Sequence, residues 1–138
     1  MVWDWGPHVA EETSYVKAFW CDNKPGIVRI ERDAKFADVV NELAFDTDQD
    51  TLDVEWMFNR LAERLLMNGD AARCGDAVRA FVLEYLPIFV QLSPNATLTE
   101  IVTDIANATE MYAVDIENAF DDLAKFILEH TNKVVGDD

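Results

Sequence analysis

The chain has 138 residues with 27 acids against 11 bases, a net charge of −16, and half of its residues are hydrophobic. This length supports one domain with its own core, and five glycines and four prolines are too few for a disordered tail or a low-complexity linker. The charge disfavours direct binding to nucleic acid or anionic membrane and favours encounter with basic proteins.

The opening stretch MVWDWGPHVAEE has neither the basic nor the apolar region of a secretion signal, and the longest apolar run, LPIFVQL at 86–92, is too short to cross a bilayer. A cytosolic setting is the expectation. Apolar spacing of three and four dominates from about residue 33 onward, whereas alternation at period two shows only in GIVRIER, residues 26–32. The expected fold is all-α: a single compact bundle of five or six helices spanning 1–138, with one short strand or extended segment near residues 26–32.

In chain order, Pro7 suits the first turn of a helix that runs to Cys21 and ends before Asn23-Lys24-Pro25-Gly26. Asp33 is the expected N-cap of a second helix, with Phe36, Val39, Val40 and Leu43 on one face. A third begins at Asp50 or Thr51 and ends at Asn68-Gly69; Val54, Met57, Phe58, Leu61, Ala62 and Leu65 share its inner stripe, and Trp56 falls on the opposite side. Residues 70–86 read as a fourth helix, with Cys74, Ala77, Val78, Phe81, Val82 and Tyr85 inward and Pro87 either kinking it or separating the apolar piece IFVQL. Thr97 and Glu100 form a capping box for a fifth, carrying Leu98, Ile101, Val102 and Ile105. The last helix starts near Thr109 and runs to about His130. No fixed-period repeat is apparent.

Residues 46–56, DTDQDTLDVEW, place Asp46, Asp48 and Asp50 at the first three ligand positions of a calcium loop. The sixth position is Thr51 rather than glycine and the twelfth is Met57 rather than glutamate, so the turn and two ligand oxygens are lost. Acids ahead of and within a helix's first turn, including Asp53, are explained by capping and by the helix dipole. His8 and His130 lie at opposite ends of the chain, Cys21 and Cys74 lack ligand spacing, and the pairs Glu11-Glu12 and Asp121-Asp122 lack the spacing of helical di-metal sites. Both cysteines read as reduced core residues, and the two N-x-T sequons at Asn95 and Asn107 as helix-boundary chemistry. Neither metal, cofactor nor catalytic group is expected.

The charge is unevenly distributed: −1 over residues 1–32, −6 over 33–69, −1 over 70–92 and −8 over 93–138. On the last helix, Tyr112, Ile116, Ala119, Phe120, Leu123, Phe126 and Ile127 take one side, while Glu110, Asp115, Glu117, Asp121, Asp122 and Glu129 take the other, relieved by Lys125 alone. These six acids, with Asp46, Asp48, Asp50, Asp53 and Trp56, form the expected partner-binding surface. Trp3 and Trp5 are expected to fold back over Trp56 and close the core, tryptophan being also a frequent interface anchor.

The expected function is an acidic interaction module, most concretely an inhibitor that fills the nucleic-acid-binding site of a basic protein such as a nuclease, as a nucleic-acid mimic or an immunity protein does. One alternative is an adaptor or assembly protein that binds through apolar and aromatic surface, its charge incidental; another is a metal-dependent hydrolase built on clustered carboxylates.

Overall fold

A computed structural model describes residues 15–21, 24–67, 69–83 and 86–129. Within them the order is β1 (Val16–Cys21), β2 (Lys24–Ile30), α1 (Phe36–Thr47), α2 (Thr51–Leu66), a short 3-10 turn (Ala71–Arg73), β3 (Val78–Leu83), β4 (Leu86–Leu92), α3 (Leu98–Thr109) and α4 (Ala113–Glu129). The fold is therefore α+β, not the all-α bundle expected above. The predicted fourth helix is replaced by the strand pair β3–β4, and the part of the predicted first helix that is described is β1; residues 7–14 of that helix lie outside the described residues.

The two hairpins are antiparallel and follow the same scheme. Val16 lies opposite Ile30, Ala18 opposite Val28 and Phe19 opposite Ile27, then the register shifts and Trp20 meets Pro25. In the second hairpin Val78 lies opposite Leu92, Ala80 opposite Val90 and Phe81 opposite Phe89, and after the same shift Val82 meets Pro87. A bulge ahead of the proline accommodates a residue that cannot donate to the ladder. Val16, Ala18, Val28 and Ile30 face the core, as do Val78, Val90 and Leu92, while Lys17, Phe19, Ile27 and Arg29 and their counterparts Arg79, Phe81, Phe89 and Gln91 face outward.

Every correspondence in these lists has the same offset, 62 residues (Val16 to Val78, Ile30 to Leu92). The offset holds through the helices: Val40 matches Val102, Leu43 matches Ile105, Thr47 matches Thr109, Phe58 matches Phe120, Ala62 matches Ala124 and Leu66 matches Leu128. The chain is an internal duplication of a strand–strand–helix–helix unit, which corrects the reading that it lacks a repeat. Local chemistry repeats as well. The Glu42 carboxylate accepts hydrogen bonds from the N–H groups of Tyr15 (2.6 Å) and Val16 (3.1 Å), and Asp104 accepts from Ala77 (2.9 Å) and Val78 (3.2 Å). Thr47 and Thr109 each donate a side-chain hydrogen bond to the carbonyl four residues back.

The halves are related by a pseudo-two-fold axis. An isolated antiparallel bridge joins Lys35 to Thr97, flanked by Phe36 N–H to Ala96 O (2.8 Å) and Leu98 N–H to Ala34 O (3.1 Å). Phe58 and Phe120 stack across the axis with centroids 5.7 Å apart. Each hairpin packs on a helix of the other half, β2 against α4 and β4 against α2. Asp121 Oδ1 on α4 accepts from Ile30 N–H at 3.0 Å, and Asn59 Oδ1 on α2 accepts from Leu92 N–H at 2.9 Å. One hydrophobic cluster runs through both halves.

Helix starts show which local signals hold. The Thr97–Glu100 capping box forms as read, with Glu100 N–H donating to Thr97 Oγ1 at 3.2 Å and Thr97 N–H to Glu100 Oε1 at 2.9 Å. Asp50 occupies the N-cap position of α2 without a side-chain hydrogen bond, and Lys35, not Asp33, is the N-cap of α1 because the bridge to Thr97 fixes the chain there.

The equivalent acceptors differ in charge, and so do their neighbours. Asp121 also faces Arg32, whose Nη1 lies 3.3 Å from Oδ1; at the positions matching Asp121 and Arg32 the other crossing has Asn59 and Pro94. Asp121→Ala strands both a buried N–H and a half-buried guanidinium, for an expected loss of about 2–3 kcal/mol; Asp121→Asn, the residue used by the other half, keeps the acceptor and is expected to cost only about 1 kcal/mol. Urea-unfolding midpoints measure both, and equal losses would show that the acceptor is not what matters.

Candidate functional site

The sequence-predicted surface residues separate into three groups. The first surrounds the α1–α2 turn. Asp46 is exposed near the end of α1, Asp48 adopts the left-handed conformation (φ 59°) and donates its N–H to Ala44 O, Asp50 precedes α2, and Asp53 is exposed in its first turn. Because α1 continues to Thr47 and α2 begins at Thr51, the acids lie on two helix ends and not in a continuous twelve-residue loop. Among the described residues no group of three or more histidine, cysteine or acidic side chains is placed to hold a metal ion.

The second group surrounds the α3–α4 turn. Glu110 is the duplicate of Asp48, with φ 66° and its N–H donated to Ala106 O, and Asp115 is the duplicate of Asp53. Each turn also exposes an apolar residue at the same point, Leu52 (73% exposed) and Val114 (56%), immediately before that aspartate. Sequence reasoning missed this pair because it treated the two turns separately; aligning them at the 62-residue offset would have found it. Phe45 and Tyr112 add exposed aromatic surface near the same turns. Residues 36–59 and 98–124 contain no lysine, arginine or histidine, so neither turn carries a base of its own.

The third group is the outer side of α4, where the predicted ridge is broken. Asp121 is buried (6% exposed), bonded to Ile30 N–H and Arg32, and Glu117 is half-buried with Arg32 Nη2 3.4 Å away. Both acids are consumed internally because β2 covers that flank of α4. Asp115, Asp122 and Glu129 remain exposed at seven-residue spacing, roughly 10.5 Å along the helix.

Trp56 is 59% exposed, with the Arg60 guanidinium 5.2 Å from its ring centroid. Its predicted covers, Trp3 and Trp5, lie outside the described residues, as do His8 and His130. Among the described residues no helix is long and apolar enough to cross a membrane.

The two turns lie at opposite ends of the helical layer. Asp70 N–H, just past α2, donates to Ala108 O at 2.8 Å, which seats the α3–α4 turn beside the C-terminal end of α2. The α1–α2 turn is at that helix's other end, 16 residues and about 24 Å away. Chemically, each turn offers an apolar tip flanked by carboxylates, suited to a basic surface with an apolar centre. Cys74 is half-buried beside Asp104 and Asp70; desolvation and those two charges push its thiol up to about 11. Cys21 lies in β1.

No family model, curated protein or solved structure matches the chain.

Two outcomes follow from this geometry. A glutamate is strained at positive φ beside the negative end of a helix dipole, so Glu110→Gly should raise thermal stability by about 1 kcal/mol, read as a higher unfolding midpoint. The folded Cys74 thiol titrates near 11 against 9.0 for the ordinary group, so its contribution to stability is complete below pH 9 and falls away as pH rises towards 11. Against a Cys74→Ala control, wild-type stability should decline over that window, and iodoacetamide should label the native thiol far more slowly at pH 8 than the urea-unfolded one.

Proposed function

We propose that the protein is a binding module, not a catalyst, that presents its two acidic, apolar-tipped helix turns to a basic protein partner. In its concrete form the partner is a nuclease or other nucleic-acid-binding protein in the cytosol, inhibited because its nucleic-acid site is occupied. The observation that carries this reading is the duplicated turn: halves that differ at most surface positions both keep an exposed apolar residue (Leu52, Val114) between an acid at the left-handed cap (Asp48, Glu110) and an aspartate (Asp53, Asp115).

The magnitudes shape the mechanism. Carboxylates about 10.5 Å apart on α4 are sparse against the one charge per ~1.7 Å of duplex DNA. Charge steers the encounter and rejects anionic competitors, while burial of the apolar tips supplies part of the affinity. The salt dependence should accordingly be shallower than that of the nucleic acid it displaces. The exposure of Trp56, Phe45 and Tyr112 favours a second reading, an adaptor that binds through aromatic surface with its charge incidental.

Capture from lysate at low and high salt, followed by competition of the captured protein with DNA, separates the two. A basic partner should be released by salt and by DNA, and Asp53→Lys and Asp115→Lys should each weaken it about tenfold. Binding indifferent to salt and to both reversals but lost on Trp56→Ala would replace this reading with the adaptor.

A further inference from the structure

We infer that the outer face of the β3–β4 hairpin is a docking surface for a second copy of this chain, the two hairpins meeting face to face about a two-fold axis. Phe81 and Phe89 are direct cross-strand partners, 52% and 50% exposed, with ring centroids 5.7 Å apart and planes tilted by 37°. The inner face is filled by Val78, Val90 and Leu92, so the aromatic pair is additional to the core rather than part of it. The rings already hold each other in place, which lowers the ordering cost of binding.

Charge selects the occupant. The strands β3 and β4 carry one base, Arg79, and no acid, on a chain whose net charge is −16. Two copies approaching through their helices bring like charges together, whereas approach through these hairpins meets the least repulsion. The duplicate hairpin is less suited to self-pairing: Lys17 on its outer face is ion-paired with Glu31, but Arg29 is exposed there, so identical faces would oppose that cation. At the matching positions of the second hairpin, Gln91 replaces Arg29 and Phe89 replaces Ile27, which removes a charge and adds aromatic surface. A face that pairs only with itself closes as a dimer and does not propagate. A two-stranded face is small, which places the contact in the weak, transient class of interface.

Sedimentation equilibrium of the full chain across protein concentration, at low and high salt, tests this. The dimer fraction should grow with salt, because screening relieves the repulsion while the contact itself is apolar; this is the opposite sign to the binding of a basic partner. Phe81→Thr and Phe89→Thr, which retain a good strand former, should each return the chain to monomer with an unchanged helical circular-dichroism signal, and Ile27→Thr on the duplicate hairpin should leave the dimer intact. A monomer at every salt and concentration, a dimer indifferent to both phenylalanine substitutions, or one equally lost on Ile27→Thr would each overturn the proposal.

Discussion

The structure depends on an exchange of hydrogen-bond acceptors between its halves. A two-stranded hairpin does not hold itself together in water: its inner face needs a cover, and the strand N–H groups that meet that cover need acceptors. Here both come from the opposite half. Helix α4 lies over β2 and its Asp121 takes the Ile30 N–H; helix α2 lies over β4 and its Asn59 takes the Leu92 N–H. Phe58 against Phe120 fills the space between the exchanged elements. The charge at one crossing is matched by Arg32, and at the neutral crossing that arginine's place is taken by Pro94, so the two versions are each internally consistent.

The same exchange governs how charge reaches the surface. By drawing Asp121 and Glu117 towards Arg32, it leaves the exposed acids of α4 at two-turn intervals and makes the helix turns, rather than a continuous ridge, the most acidic prominences. The hairpin strands meanwhile carry bases and no acids. One short chain therefore offers two kinds of surface, carboxylates around apolar tips on the helices and aromatic side chains beside basic ones on the strands.

Much of the helical part was legible in the sequence, and the strands were not. The apolar stripes of α1 through α4 and the Thr97 box are long-period or local signals that tertiary packing leaves alone. In the hairpins, outward Phe19, Ile27, Phe81 and Phe89 make both faces apolar, which hides the alternation of Val16 with Ala18 and of Val78 with Ala80 and lets the runs fit a helical spacing. The repeat stayed hidden because its matches, such as Pro25 with Pro87 and Thr47 with Thr109, are scattered among positions where surface residues diverge. The helical wheel put Asp121 on the solvent side, opposite the apolar stripe, whereas the structure buries it with Ala124 and Leu128, because a wheel carries no information about a strand laid along that flank; only the duplicate position, an asparagine, hinted at a shared internal role.

The crossed packing also has a consequence for biosynthesis. Ile30 waits for an acceptor 91 residues further along, whereas Asn59 is made 33 residues before the strand it serves. As the chain leaves the ribosome, β1 and β2 emerge long before the helix that shields them, so their apolar inner face stays open until almost the whole of α4 has been translated. Loop closure over that span delays the first half and not the second, and two nearly equivalent units acquire different waiting times merely from their order in the message.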